Sequence, residues 1–302
     1  MSAKKIENIA SSVRQRILDK ARNDQRPFAE LLQYYAIERF LFRFSKSAFA
    51  DKFILKGALM LRAWNSPTTR PTLDSDMLGK TSNDREKIIE LVREICSLEV
   101  EADGLLFDLD SIHGETITRD ADYNGVRVRF SARLDTAKVY LQIDIGFGDV
   151  VFPKPERVEL PSLLDFPPPR LLGYSRESAI AEKLNAILTL GELNSRMKDF
   201  YDIWLLSRLF NFNGEELCEA IKRTLNNRST QIPVKIPAFS EPFITAKTTQ
   251  WNAFTRKLRQ KEAFPEFGEI INSMNAFLVP LLEHLRKGNN FSGKWNSIRH
   301  WH

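Results

Sequence analysis

Apolar residues near the start of the chain fall at Ile6, Ile9, Val13, Ile17 and Ala21, a helical stripe. Pro27 opens a second, more heavily apolar helix carrying Phe28, Leu31, Leu32, Tyr35, Phe40, Leu41 and Phe44. The pattern then changes. Phe53-Ile54-Leu55 is a short strand-type run that meets Lys56-Gly57. Residues 59–64 read as a short helix, 67–71 as a loop, 73–78 as a strand and 85–98 as an amphipathic helix. Spans 106–112, 126–134 and 138–147 read as strands. In the last two, Val126, Val128, Phe130, Ala132 and Leu134 alternate with Arg127, Arg129, Ser131 and Arg133. Past an Asp135-Thr136-Ala137 turn, Val139, Leu141, Ile143 and Ile145 alternate with Tyr140, Gln142 and Asp144. A period of two with one apolar face predicts a hairpin packed on one side only.

Residues 152–173 hold Pro153, Pro155, Pro161, Pro167, Pro168 and Pro169, a pattern that excludes a helix or a central strand and marks a domain boundary. Beyond it, spans 178–193, 198–210, 214–224, 254–261 and 269–287 read as helices. The expectation is α+β followed by all-α: one domain over 1–170, including helices in 1–50, and a helical domain over 171–302.

The 21 phenylalanines and 43% hydrophobic residues supply a real core, and 27% charged residues is ordinary for a globular chain. A net charge of +5 is compatible with a basic face for a polyanion and far from a tail-driven nucleic-acid binder. Cys96 and Cys218 are too few for a disulfide framework, and four histidines in no metal-binding spacing make zinc chemistry improbable. No apolar leader and no apolar run of about 18 residues is present, so the expectation is a soluble, cytoplasmic protein without a membrane span.

Three carboxylates carry the candidate chemistry. Asp74 and Asp76 sit two apart on a predicted strand, so both face the same way. Asp144 lies on the non-apolar face of its own strand. Mg²⁺ (or Mn²⁺) prefers oxygen ligands, one or two carboxylates plus substrate phosphates, and a third carboxylate allows two ions. Lys56, Gly57 and Ala58 form a turn whose backbone N–H groups suit a triphosphate. Taken singly, each carboxylate reads equally as a solvated strand residue. Their order is more informative: glycine, a helix-length gap, Asp-x-Asp, then apolar-Asp-apolar.

That order resembles the DNA polymerase β-type nucleotidyltransferase superfamily. Residues 53–62 (FILKGALMLR) and 70–79 (RPTLDSDMLG) are similar to the opening of the AbiEii/AbiGii nucleotidyltransferase toxins. Ala181-Glu182-Lys183, followed by residues 194–202 (NSRMKDFYD), resembles the family's second hallmark, a lysine on one helix and Arg-x-Lys-Asp-x-x-Asp opening the next. Residues 224–233, with Arg228, and the tail with Trp295 and Trp301 are similar to its helical C-terminal half. Two departures stand out: Gly57-Ala58 where relatives have Gly-Gly or Gly-Ser, and Ser75 where an aliphatic residue is usual.

The resemblance implies a nucleotidyltransferase-type mixed sheet with N-terminal helices, then a helical domain. It implies Asp74, Asp76 and Asp144 as metal ligands, with Lys183 and Asp199 joining them as catalytic residues. It implies Lys56, Gly57, Ala58, Lys183, Arg196 and Asp202 as nucleotide-binding. Lys183 offers a point charge for a triphosphate, and an aspartate beside it would orient the lysine or act as a base. The activity implied is transfer of a nucleoside monophosphate from an NTP to RNA, the tRNA 3′ end being the best candidate. The setting implied is a type IV toxin–antitoxin system in abortive phage infection, with a cognate antitoxin as partner. Arg127, Arg129 and Arg133 would share a face with Asp144, either to hold RNA or to neutralise the carboxylates. The basic-aromatic tail would stack on RNA ends or dock on the protein's own surface. Two other readings remain open: a non-catalytic nucleotide-binding module and a metal-dependent nuclease.

Overall fold

The opening stripe forms α1 (Ala3–Asn23), and the run after Pro27 forms α2 (Phe28–Lys46). The computed structural model describes residues 3–66, 74–120, 123–258, 264–289, 291–296 and 300–302. The predicted loop at 67–71, and the 70–73 part of the motif, lie outside these. The chain divides into two compact units, residues 1–148 with 156–173, and residues 149–155 with 174–302.

In the first unit α2 is buried on almost every side from Leu31 to Phe44, which draws charged residues inside with it. Buried charges require partners, and these have them. Arg43 forks onto Asp103 at 2.6 and 3.1 Å, and Asp103 also accepts the Leu105 N–H. Glu38 lies 2.6 Å from Arg39 and accepts the Leu163 N–H, yet burial still pushes its carboxyl up to about 7. Phe40 packs 5.2 Å from Phe130, and Phe44 meets Phe53 edge-on at 5.5 Å. Offset and edge-on ring pairs of this kind add to burial and fix α2 against the sheet.

That sheet has seven strands. They are β1 (Phe53–Lys56), β2 (Asp74–Gly79), β3 (Leu105–Asp120), β4 (Tyr123–Leu134), β5 (Ala137–Phe147), β6 (Glu156–Glu159) and β7 (Arg170–Gly173). Their spatial order is β3-β4-β5-β2-β1-β7-β6. β2 runs parallel to β5, and β1 parallel to β7; the remaining neighbours are antiparallel. Helix α3 (Leu59–Ala63) follows β1, and α4 (Arg85–Ser97) packs on β3. The β4–β5 hairpin alternates as its sequence predicts. Val126, Val128, Phe130, Leu141, Ile143 and Ile145 are buried, with Asp135 at φ +55 in the turn, a backbone that aspartate tolerates.

The proline-rich stretch corrects one expectation. It supplies β6 and β7, and β7 is an internal strand between β1 and β6. The prolines stop at Pro169, one residue before β7, so no ladder N–H is missing.

The second unit holds α5 (Arg176–Leu190), α6 (Met197–Leu209), α7 (Gly214–Asn227), α8 (Glu241–Thr255) and α9 (Phe267–Arg286). The span predicted as a helix over 254–261 is in fact the end of α8 and a 3₁₀ turn, Arg256–Leu258, with 259–261 outside the described residues. Its true start is set by Ser240, whose hydroxyl accepts the Phe243 N–H, with Pro242 in the first turn. The all-α expectation also misses a short pair, β8 (Phe212–Asn213) with β9 (Lys294–Trp295). The tail docks on its own unit. Trp295 is buried and donates to the Ser207 carbonyl, and Trp301 stacks on Phe277 at 5.7 Å and donates to its carbonyl. Both indole N–H groups are so used, Trp295 inside the core and Trp301 half-buried against it.

Among the described residues, no helix is long and apolar enough to cross a membrane.

Candidate active site

Strand register assembles the site in the first unit. Lys56 lies opposite Asp76, Asp76 beside Asp144, Asp144 opposite Arg127, and Arg127 opposite Glu115. In-register neighbours share a face. Five charged side chains on five strands therefore make one row: plus, minus, minus, plus, minus. The adjoining row reads Asp74, Gln142, Arg129 and His113. Lys56 and Asp144 are buried, whereas Asp74 and Asp76 are partly exposed. Such charges are retained inside only when they compensate one another, and Lys56 and Arg127 flank the two adjacent aspartates to do that.

Gly57 shows how closely the row is built. Its φ is +75°, and a Cβ there would stand 2.4 Å from Oδ2 of Asp76. The backbone of the turn is thus a cradle for the Asp76 carboxylate, and only glycine leaves room for it. Ala58 takes an ordinary helical backbone, φ −66° and ψ −26°, so the departure at that position is sterically neutral. Helix α3 has five residues, too few for its dipole to count. Ser75 points to the core side, level with Ile143, and is buried.

Arg127 grips Asp144 with a two-pronged fork, Nε to Oδ1 and Nη2 to Oδ2, both at 2.7 Å. Gln142 adds a bond to Oδ1 at 3.2 Å, and itself accepts from Arg129 Nε at 3.0 Å. Glu115 stands 2.8 Å from Arg129 and 3.8 Å from Arg127. The hydrogen bond to Asp144 raises the Arg127 pKa above its usual value against the pull of partial burial, with the charges of Asp144, Glu115 and Asp74 adding to it. Arg127 and Arg129 are therefore engaged by the sheet's own acids, and Arg133 alone of the three is exposed.

The donor set suits a hard divalent cation: carboxylate oxygens from two adjacent parallel strands, on one face, with Asp76 held against a glycine cradle. As the side chains stand, no three Asp, Glu, His or Cys among the described residues are grouped to take an ion. Each Asp144 oxygen already accepts from Arg127, which leaves the remaining lone pairs of the carboxylate for an ion.

The second predicted cluster lies in the second unit. Lys183 on α5 reaches Asp202 at 2.7 Å and Asp199 at 3.3 Å, both on α6. Arg196, at the α6 N-cap, lies 3.0 Å from the other Asp199 oxygen, Oδ2. Both aspartates are buried. Asp199 thus meets Lys183 through one oxygen and Arg196 through the other. Nearby, Arg228 and Asp149 form a short, largely buried ion pair.

Sequence reasoning did not single out Gln142 or Glu115. Gln142 was findable, two residues before Asp144 on the same strand face. Glu115 was not, because the second half of β3 lacked a strand signal.

Two solved Helicobacter pylori structures are similar to this chain, JHP933 and a second protein presented as a candidate nucleotidyltransferase. Each is 12% identical with a TM-score of 0.46; each match covers 86% of this chain, and 94% and 98% of those chains respectively. No curated protein matches. A family model described as the nucleotidyl transferase AbiEii toxin of type IV toxin–antitoxin systems matches residues 39–273, a span that holds both the carboxylate row and the Lys183 cluster. The chain belongs to the AbiEii nucleotidyltransferase toxin family.

Proposed function

We propose that this nucleotidyltransferase toxin acts in the cytoplasm, where it moves a nucleoside monophosphate from an NTP to RNA with the tRNA 3′ end as acceptor. The reaction depends on Mg²⁺, with Mn²⁺ able to substitute, and the effect on the cell is arrest of translation, relieved by a cognate antitoxin. The acceptor hydroxyl oxygen bonds to the α-phosphorus while the bond from that phosphorus to the α–β bridging oxygen breaks. The electron pair leaves with pyrophosphate, and the hydroxyl proton passes to a carboxylate or to water.

The observation that carries this reading is Asp76 and Asp144, side by side on parallel strands, with Asp74 on the same face and Gly57 shaped around Asp76. Divalent ions held by Asp74, Asp76 and Asp144 would neutralise phosphate charge and make the attacking hydroxyl more acidic. Lys56 and the Gly57-Ala58 backbone would face the triphosphate. Lys183, held by Asp199 and Asp202, would contribute a fixed positive charge toward a phosphate, with Arg196 anchoring the aspartate that orients it. Arg127 would keep Asp144 aimed until the ion arrives.

The test is incubation of purified protein with total tRNA, Mg²⁺ and each α-³²P-labelled NTP in turn, beside Asp76→Ala. Label on intact tRNA that is lost in the variant is the expected result, and it names the nucleotide. Cleaved tRNA would replace the reading with a nuclease. Intact, unlabelled tRNA with every NTP would remove tRNA as the acceptor.

A further inference from the structure

On the same sheet face, a cavity of about 450 Å³ opens next to the carboxylates, lined among others by Asp74, His113, Arg129, Lys138, Tyr140 and Gln142. Its volume lies within the range of about 300–1,000 Å³ typical of small-ligand sites. The register makes it continuous with the acid row. Asp74, Gln142, Arg129 and His113 form one line across four strands, and Tyr140 with Ser131 forms the next. Tyr140 is 69% exposed on this floor, and the Lys138 ammonium sits 5.1 Å from its ring centre. Gln33 on α2 donates to the Tyr140 carbonyl at 2.8 Å, fixing the strand beneath the ring.

We infer that this cavity is the subsite for the terminal nucleotides of a single-stranded RNA acceptor, with Tyr140 as the stacking surface and Lys138 meeting the backbone phosphate. An exposed aromatic ring with a cation over one of its faces is a combination that binds single-stranded nucleic acid without reading its sequence. Position decides between acceptor and donor. The cavity touches Asp74 from the β5–β4–β3 side of β2, and its lining contains none of Lys56, Gly57 or Asp76. The turn assigned to the triphosphate follows β1, on the opposite side of β2. Attacking and leaving oxygens stand roughly in line across the phosphorus, so the acceptor enters from the side facing away from the pyrophosphate, and that side is the cavity. The assignment rests on the RNA-transfer reading above.

The test is fluorescence anisotropy of a labelled single-stranded RNA with a free 3′ hydroxyl, in EDTA and without NTP, for wild type, Tyr140→Ala, Tyr140→Phe and Lys138→Ala. Tyr140 is exposed, so its variants keep the fold. Tyr140→Ala is expected to weaken RNA binding at least about fivefold, the loss of one stacked base, while Tyr140→Phe binds as wild type. Lys138→Ala is expected to weaken binding and flatten its salt dependence. In separate samples of the same proteins, with Mn²⁺ and no EDTA, NTP binding stays unchanged. Wild-type protein that does not bind the RNA, or Tyr140→Ala that binds it fully, overturns the assignment. So does a Tyr140→Ala defect confined to NTP binding, which makes the cavity the donor's base pocket. Because the readout is binding, it separates from the reaction. If labelled NTP is transferred to RNA and Tyr140→Ala leaves the acceptor KM unchanged, the transfer reading survives and the subsite does not.

Discussion

Gly57→Ala is expected to lower nucleotide transfer at least about 100-fold, the scale of a roughly 1 Å displacement in a catalytic constellation. Two independent effects act at this position. The new methyl group would stand 2.4 Å from Oδ2 and 3.0 Å from Cβ of Asp76, a separation that atoms do not hold, so the carboxylate must move. The backbone at φ +75° also costs an L-residue about 1–2 kcal/mol. The second effect lowers the melting temperature by a few degrees; the first removes activity from protein that is still folded. Transfer rate and thermal melting, measured on the same preparation, separate them. A folded Gly57→Ala protein with wild-type transfer would show that the Asp76 carboxylate does not need its present position.

Lys183→Met is the second large effect. It removes the cation between two buried carboxylates, 2.7 Å from Asp202 and 3.3 Å from Asp199. Breaking a buried pair from one side costs about 3–5 kcal/mol. Arg196 still faces Asp199, whereas Asp202 loses its 2.7 Å contact with the ammonium. A denaturant series therefore finds Lys183→Met strongly destabilised, with transfer lost. The double variant Lys183→Met with Asp202→Asn separates structure from chemistry. Neutralising Asp202 restores part of the stability, and transfer stays absent if the ammonium acts on a phosphate. Transfer that returns together with stability would make Lys183 a purely structural residue.

How much of this was legible follows from what each feature depends on. The β4–β5 hairpin was readable because one face meets the core and the other does not, so alternation survives in the sequence. Asp74 and Asp76 were readable as same-face carboxylates from spacing, and Asp144 as lying on the polar face of its own strand; that Asp144 stands beside Asp76 needed the β2–β5 register. The fork of Arg127 on Asp144 was not, since it depends on a register spanning β4 and β5, and the sequence left the three arginines open between RNA and acid neutralisation. The pairing of Arg127 and Arg129 with acids of the sheet supports neutralisation for those two. Helix α8 was hidden because only Phe243 and Trp251 are buried along it, so it has almost no stripe. Strand β7 was hidden by its neighbours: three prolines precede it, and four residues are too few to show a period. For the tail tryptophans the sequence left RNA stacking and docking on the protein's own surface open, and their carbonyl partners show the docking.

The measurement that tests the central claim most directly is titration of Mn²⁺ into wild type, Asp76→Asn and Asp144→Asn, with free Mn²⁺ read by electron paramagnetic resonance and folding monitored alongside. The account predicts that wild type binds Mn²⁺ and that each folded variant loses most of that affinity, because each removes a charged oxygen ligand from one shared centre. Folded Asp76→Asn and Asp144→Asn proteins that bind Mn²⁺ as tightly as wild type would contradict it, and the row from Lys56 to Glu115 would then be an ion-pair network that holds the sheet together.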